Sequence, residues 1–442
     1  MKKPEKPPVI KRGSSYARIM DELIAIKKFN EFFEIDETEY PYWEGWKYKT
    51  KNWNIEPEKI WSCAKSHRLG GRRISFSDLT GFQFTLNSPV IIQQYLHELD
   101  MNLGGNMQSD GIIPHEEKDR YLINSIMEEA IASSQLEGAV TTRKVAKDML
   151  EKERKPHTKS ELMIINNYEV MRWITLNKKI KLTPEVLLQI HSLITRDTLK
   201  DKKEEGNFRE NDNVTVNEDI TGEVYYIPPS YKHLPHLIEN LCDFANDEEK
   251  GQFFIHPISK AIILHFLIGY IHPFSDGNGR TARAIFYWYL IRKGYWLIEY
   301  MSVSRIILQA KSQYAKAYLY TEYDDNDLTY FVIYNLKALI TALHDLKKYI
   351  HKKTQEKKHT LSLIKNNGFN DRQIVLIKDI LSDKDQYFTV KQVESRFNVS
   401  NQTARNDLMY LIQKGILIQK KSGKKAQFFV ADNYDKKLML QK

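Results

Sequence analysis

Two nearly unbroken apolar runs, Ala261–Ile271 and Ala284–Ile291, stand on either side of a twelve-residue connection. Segments apolar on every side have no face to offer water, so each reads as a helix enclosed in a core. Neither approaches the ~18 apolar residues that a membrane span needs. The chain must therefore build a helical domain large enough to bury both. The connection, residues 272–283, reads His-Pro-Phe-Ser-Asp-Gly-Asn-Gly-Arg-Thr-Ala-Arg, and it has the groups needed to handle a polyphosphate.

Gly277 and Gly279 free the backbone to take φ > 0 and let main-chain N–H groups approach an anion. Arg280 and Arg283 are three apart, so both fall on one side of the first turn of the following helix. The N-terminus of that helix favours phosphate by itself. Asp276 is a hard oxygen ligand, suited to a Mg²⁺ ion that shares its other positions with phosphate and water. His272 titrates near neutral pH and can take a proton from an attacking hydroxyl. Pro273 stiffens the start of the loop, and Phe274 is expected to anchor it in the core. Asp-Gly-Asn-Gly alone would be a turn, and the other ligand positions of a calcium loop are missing.

The whole string, His-Pro-Phe-x-Asp-Gly-Asn-Gly-Arg-x-x-Arg, resembles the signature of the Fic family at every fixed position. The resemblance implies a mainly α fold: a Fic-type helical domain with a β-hairpin flap, an N-terminal module before it and a small α+β winged helix after it. It implies transfer of AMP from Mg-ATP to a Ser, Thr or Tyr hydroxyl of a protein target. His272 would be the base and Asp276 would hold Mg²⁺. Gly277, Asn278 and Gly279 would form the anion hole, Arg280 would grip the phosphates and Arg283 the γ-phosphate.

Residues 133–138 read Ser-Ser-Gln-Leu-Glu-Gly and end a helix-like stretch, Tyr121–Leu136, with Ile123, Ile126, Ala130 and Ile131 at helical spacing. Gly138 is a natural helix stop. A glutamate at a helix C-terminus is electrostatically unfavourable, which points to a partner for Glu137 elsewhere. Ser133, Glu137 and Gly138 match the family's inhibitory pattern, Ser/Thr-x-x-x-Glu-Gly/Asn. By that resemblance Glu137 would pair with Arg283 in place of the γ-phosphate and hold the enzyme inactive. Removal of AMP, alone or beside transfer, is an alternative direction at the same site.

Between the motifs, Asn213–Val216 and Glu223, Val224, Tyr225, Tyr226 and Ile227 flank a Thr-Gly turn and predict a β-hairpin ended by Pro228-Pro229. A free hairpin edge can receive an extended peptide, and in the family this element is the flap that aligns the target. Tyr314 falls where relatives close the nucleotide pocket, and the resemblance assigns it to adenine.

A chain of 442 residues predicts two or three domains. The expected bounds are a flexible tail, 1–15; an N-terminal module, 16–115; a catalytic domain, 116–350, with the inhibitory helix at 121–138; a charged linker, 351–358; and a winged helix, 359–435. Met1–Ser15 has no apolar core of a secretory signal, and Cys63 and Cys242 have no metal or redox spacing, which fits buried thiols in a reducing cytoplasm. Tyr40, Tyr42, Trp43, Trp46, Tyr48, Trp53 and Trp61 are expected in core and interface rather than stacked on nucleic acid. His191, His256 and His265 lack metal spacing and read as core or supporting histidines.

Residues 359–442 carry 15 Lys+Arg and 8 Asp+Glu, most of the whole chain's net charge of +9. Asp371–Leu381, Val390–Phe397 and Asn401–Gln413 have a helix-turn-helix cadence with Ser400 as an N-cap, followed by two strands around a short basic wing. Gln402, Thr403, Arg405 and Asn406 on the third helix, with Lys421 and Lys424 on the wing, are the candidate DNA contacts. The other use of such a module is protein contact. The expected partners are thus a protein substrate, the chain itself as a target, DNA or protein at the winged helix, and a second copy in a homodimer. A DNA-binding regulator whose Fic domain senses nucleotide is the remaining alternative.

Overall fold

The structure is a computed structural model and describes residues 2–9, 16–77, 83–104, 118–217, 222–246, 253–366, 368–382, 387–422, 425–432 and 434. The chain divides into two compact units, residues 1–346 and 347–442. Both are mainly helical.

The first unit opens with α1 (Tyr16–Ala25), α2 (Phe29–Thr38), α3 (Trp43–Lys49), α4 (Pro57–His67), an antiparallel pair β1 (Arg72–Ser77) and β2 (Gln83–Leu86), and α5 (Val90–Leu103). That pair was not among the sequence expectations, although Ile74 and Phe76 alternate onto a buried face. There follow α6 (Lys118–Leu136), α7 (Arg143–Glu151), α8 (Lys159–Leu176), α9 (Pro184–Thr195), the pair β3 (Val216–Asn217) and β4 (Val224–Tyr226), and α10 (Leu234–Asn246). The unit is completed by α11 (Pro257–Ile271), α12 (Asn278–Arg292), α13 (Val303–Gln309), α14 (Lys311–Tyr323) and the start of α15 (Thr329–Asn366).

The two apolar runs are α11 and α12, packed on each other. Every residue of α11 from Ile258 to Ile268 is buried, as is every residue of α12 from Arg280 to Ile291. Helix α6 is fixed beside them. Its buried Glu129 accepts hydrogen bonds from the Tyr287 hydroxyl at 2.8 Å, the Ser302 hydroxyl at 3.0 Å and the Ser304 amide at 3.0 Å. The Ser134 hydroxyl donates to the Met163 carbonyl of α8 at 3.2 Å. Glu137 and Gly138 lie in the turn after α6, with Gly138 at φ +88°.

Three boundary expectations need correction. The tail is not wholly free: within residues 2–9, Glu5 accepts from the Trp43 indole at 3.1 Å and from Lys47 at 2.6 Å, and Pro4 is buried. The N-terminal module belongs to the same compact unit as the following helices. Buried Arg68 donates to Asp36 at 2.9 Å and to Tyr330 at 2.8 Å, and the Tyr42 ring stacks on Tyr320 at 4.1 Å. The charged stretch 351–358 lies inside α15, because its Lys, Gln and Glu residues favour helix and it holds no Gly or Pro. The aromatic cluster is core, with Trp46 and Trp61 at most 1% exposed, except for Tyr48 at 83%. Cys63 and Cys242 are buried free thiols, both pushed up to about 12 by burial.

In the second unit α16 (Asp371–Ser382), α17 (Val390–Phe397) and α18 (Asn401–Gln413) pack with strands β5 (Tyr387–Phe388), β6 (Leu417–Ser422) and β7 (Lys425–Val430) in the order β5-β7-β6. Strand β5 adds to the expected hairpin. Ile377, Leu408, Leu411 and Phe428 form the centre of its core. Thr389 and Gln392 make a capping box on α17, and Ser400 caps α18. No helix among the described residues is long and apolar enough to cross a membrane.

Candidate active site

Helix α11 ends at His272, whose backbone takes the left-handed conformation at φ +49° and donates its N–H to Ile268. This turn lifts the imidazole off the helix axis. Its Nδ1 lies 3.2 Å from the Gly269 carbonyl, so Nδ1 carries the hydrogen and Nε2 keeps its lone pair. Burial pushes His272 below its ordinary value of 6.5, against the Gly269 carbonyl and the Glu137 carboxylate, which favour the proton. The ring is therefore neutral at pH 7.

The loop is held by groups inside and outside the motif. Phe274 is fully buried and stacks on His191 with ring centres 3.7 Å apart. Asn278 spends its side chain on the loop: its Oδ1 accepts from Phe274 N–H at 3.0 Å and its Nδ2 donates to the Phe274 carbonyl at 2.8 Å. His191 Nδ1 accepts from the Gly206 amide at 3.1 Å, leaving Nε2 to donate to the Asp276 carbonyl at 2.9 Å. Burial drives His191 down to about 4, which keeps it neutral in this role. Arg209, buried, donates to the carbonyl of His272 at 2.9 Å, and its amide donates to Pro273 at 2.9 Å. It also donates to Asp212 at 3.0 Å and to Pro229, tying the loop to the segment around the hairpin. Arg209 was missed in the sequence, where it stands alone with no periodic or motif signal.

Gly277, at φ +83°, is the N-cap of α12. A Cβ there would meet Thr195 at 2.9 Å, so both conformation and space require glycine. One residue beyond Asn278, Gly279 presents the first turn of α12. A Cβ on it would stand 2.1 Å from Glu137 Oε1. The Glu137 carboxylate thus rests against the helix start that the sequence marks for phosphate. The same oxygen pairs with Arg283 at 2.8 Å. Arg283 Nε donates to the Ser133 hydroxyl at 2.8 Å, and its NH2 to the Ser133 carbonyl at 3.0 Å. Burial is the largest single influence and works against the Arg283 charge, but Glu137, Tyr314 and Glu129 together hold the guanidinium above its ordinary value.

These groups wall a cavity of about 570 Å³, lined by Glu137, His272, Asn278, Gly279 and Arg283 at one end and by Tyr225, Tyr226, Tyr314, Tyr318 and Glu322 elsewhere. Tyr226 is fixed by a hydrogen bond from its hydroxyl to the Tyr270 carbonyl at 2.9 Å. The Tyr314 hydroxyl meets His265 Nε2 at 2.8 Å. Glu322, not foreseen in the sequence, makes no hydrogen bond or ion pair among the described residues, and burial pushes it up to about 8. Val224 and Glu223 belong to the hairpin but not to the lining. Asp276 and Arg280 also lie off it. Arg280 is 1% exposed, donates to the Ile194 carbonyl at 3.2 Å and leaves its Nε without an acceptor. Burial, partly offset by Asp276, holds its guanidinium below the usual range.

The single exposed carboxylate of Asp276, 3.5 Å from Arg280, fits a Mg²⁺ ion that takes most of its ligands from phosphate and water. It does not fit a metal held by protein alone, and no group of three or more metal-binding side chains occurs among the described residues.

In the second unit Gln402, Arg405 and Asn406 are exposed on α18, and Gln402 donates to Asn406 at 2.9 Å. Thr403 is half-buried beside the Ser400 cap. Lys421 lies in β6, and Lys424 falls outside the described residues.

A model of the Fic/DOC family matches residues 181–290, and a model of the DeoR-like helix-turn-helix domain matches residues 376–426. Among curated proteins the chain is similar to protein adenylyltransferase Fic of Drosophila willistoni, 32% identical over 124 residues, 27% of this chain and 22% of that protein. The same protein of Culex quinquefasciatus is 34% identical over 122 residues, 27% of this chain and 21% of that one. The matched part spans only about a fifth of the length of these relatives. Among solved structures, a Fic family protein from Desulfovibrio desulfuricans covers 78% of this chain and 95% of its own, with a TM-score of 0.50 and 18% identity. Fic-1 from C. elegans covers 77% and 93%, with a TM-score of 0.50 and 16% identity. Those two likenesses are of fold. What is matched is a Fic/DOC domain at residues 181–290, with a DeoR-like helix-turn-helix domain at residues 376–426 behind it.

Proposed function

We propose that this chain transfers AMP from ATP to a hydroxyl of a protein target and that Glu137 holds the reaction in check. The observation that carries the reading is one cavity in which an unprotonated histidine nitrogen, a helix N-terminus, a buried arginine and a hairpin strand all meet. His272 Nε2 takes the proton of the attacking hydroxyl. The hydroxyl oxygen bonds to the α-phosphorus, the bond from that phosphorus to the bridging oxygen breaks, and pyrophosphate leaves with the electron pair. The N–H groups at the start of α12 face the phosphoryl oxygens as charge develops. Asp276 would hold a Mg²⁺ ion, which would neutralise charge on the phosphates. The unsatisfied Arg280 Nε is a donor that a phosphate oxygen could accept from.

Glu137 occupies both features that would receive the γ-phosphate, Arg283 and the first turn of α12. In the checked state ATP meets a carboxylate there, and its α-phosphate does not come into line with His272. The target's side chain is to be presented by the hairpin β3–β4, whose Tyr225 and Tyr226 reach the cavity. The reaction is placed in the cytoplasm as part of this proposal. The second unit is read as a DNA-contacting module through Gln402 and Arg405.

The test is incubation of wild type and Glu137→Gly with α-labelled and γ-labelled ATP, with His272→Ala placed in the Glu137→Gly background. Protein label from α alone, lost in His272→Ala, is the expected result. Label from γ would replace this reading with a kinase-like reaction. Release of AMP from a modified protein with no forward transfer would place removal first.

A further inference from the structure

We infer that the β3–β4 hairpin carries a docking surface for an extended, lysine-bearing segment, and that residues 2–9 of this chain occupy that surface in cis. The inference rests on the target-presenting role proposed above for the hairpin.

The contacts converge on one ammonium group. Lys3 Nζ donates to the Val224 carbonyl at 2.9 Å, pairs with Glu223 at 2.8 Å, and lies 5.5 Å from the centre of the Tyr225 ring. A carboxylate, a main-chain carbonyl and a ring face from three successive residues thus meet a single lysine. That is the donor count and charge of an ammonium, and an acidic side chain could satisfy none of the three. Three residues on, Lys6 Nζ lies 5.2 Å from the centre of the Tyr323 ring at the end of α14. Between the two lysines Pro4 is buried.

Glu5 faces the other way. Its carboxylate accepts from Trp43 at 3.1 Å and Lys47 at 2.6 Å, its carbonyl accepts from the Tyr42 hydroxyl at 2.9 Å, and its amide donates to Glu44 at 3.2 Å. Pro4, Pro7 and Pro8 favour an extended segment with little entropy left to lose on docking. Tyr225 belongs both to the lysine contact and to the lining of the cavity that contains His272. A segment seated here is therefore adjacent to the site of transfer. The tail occupies the place of a target.

Each contact is partly exposed, with Lys3 at 30% and Glu223 at 53%, so each alone is weak. The tail prevails by being tethered, since a short linker gives an effective concentration in the millimolar range. A target segment must bring its own lysines and further contacts to displace it. The substrate class that follows is an extended basic segment close to a hydroxyl.

The experiment uses the full chain and a fluorescent peptide with the sequence of residues 2–9, Lys-Lys-Pro-Glu-Lys-Pro-Pro-Val, read by anisotropy. In Lys3→Glu/Glu5→Lys both tethering charges are reversed and the surface is vacated. The peptide is expected to bind this variant at least about tenfold tighter than wild type. Adding Glu223→Lys to that variant should reverse the gain, and a peptide with its lysines replaced by glutamate should not bind. Equal binding to wild type and the released variant, or indifference to Glu223→Lys, would overturn the inference. Lys3→Ala serves as the milder variant if the double change impairs folding. Binding is measured again with His272→Ala added, where the same values are expected. Peptide binding with no self-AMPylation in a Glu137→Gly background would sink the proposed activity and leave the docking surface standing, and self-AMPylation in that background without peptide binding would do the reverse.

Discussion

Glu137 Oε1 lies 2.8 Å from the Arg283 guanidinium, and it also lies 2.1 Å from where a Cβ on Gly279 would stand. One carboxylate thus spans the cation and the helix start, the two features that make this end of the cavity attractive to phosphate. Ser133 and Glu137 together accept three hydrogen bonds from the buried Arg283 guanidinium.

Ser133→Ala removes the hydroxyl acceptor of Arg283 Nε but leaves the Ser133 carbonyl and Glu137 in place. One hydrogen bond to a charged group is worth roughly 1.5–3 kcal/mol. The clamp on Arg283 should loosen without opening fully. Self-AMPylation is expected to rise, by less than in a variant lacking Glu137. A Ser133→Ala rate equal to that of Glu137→Gly would show that the hydroxyl, not the carboxylate, holds the check.

Gly277→Ala and Gly279→Ala should both abolish transfer, for different reasons. At Gly277 the φ of +83° and the 2.9 Å approach to Thr195 strain any side chain, so the loop itself is expected to lose about 1–3 kcal/mol of stability. At Gly279 a methyl displaces the Glu137 carboxylate but fills the space a phosphate would need. That variant should have no activity and no gain from also removing Glu137. Restored activity in Gly279→Ala/Glu137→Gly would mean that phosphate does not use the first turn of α12.

The pH dependence follows from burial of His272. Its value lies below 6.5, so the base is neutral at pH 7 and the transfer rate should rise through a point below 6.5 and then stay level across neutrality. For stability, a histidine depressed in the folded state binds fewer protons there than in the unfolded chain. Stability is then lost as pH falls below 6.5. His191, at about 4, and His265, at about 3, act in the same direction. Denaturant midpoints are expected to fall between pH 7 and pH 5. A rate still climbing between pH 7 and pH 8.5 in the Glu322→Gln background would contradict the neutral base.

Glu322 titrates at the other end of the scale. Burial raises it to about 8, so it is mostly protonated at pH 7 and becomes an anion in the cavity wall as pH passes 8. A negative charge there opposes a bound polyphosphate. The KM for ATP should therefore increase above pH 8 in wild type and remain flat in Glu322→Gln. Identical profiles would place Glu322 outside the field felt by the nucleotide.

For the second unit, Gln402 and Arg405 are exposed on α18, and the strands β6 and β7 carry Lys420, Lys421 and Lys425. Full-chain binding to duplex DNA is expected to weaken steeply with added salt and to fall on Arg405→Ala. Weak binding that ignores salt would leave protein contact as the role of this unit.

Much of this was legible in the chain because it is local. The two apolar runs mark α11 and α12 with the loop 272–283 between them, and the resemblance at Ser133–Gly138 implies the Glu137–Arg283 pair that the structure has. The cap residue Ser400 marked a helix start that the structure has. What was not legible is tertiary. Arg209 reaches the His272 carbonyl across 63 residues, and His191 reaches Asp276 across 85, with no periodicity to announce either. A Lys- and Pro-rich start reads as free chain, and only the placement of Trp43, Lys47 and Glu223 fastens it down. Asp276 and Arg280 show a subtler limit. The motif puts them in the site, while packing keeps both off the cavity lining.

The central claim is that Glu137 and the γ-phosphate compete for Arg283. The direct measurement is the initial rate of AMP incorporation from α-labelled ATP by wild type, Glu137→Gly and Glu137→Gly/Arg283→Ala, at one saturating ATP concentration. Removing one partner of a buried ion pair changes energies by about 3–5 kcal/mol. The expected result is a rise of at least about tenfold in Glu137→Gly, since 1.36 kcal/mol is already tenfold in rate, and loss of that rise when Arg283 is also removed. A Glu137→Gly rate equal to wild type would contradict the account.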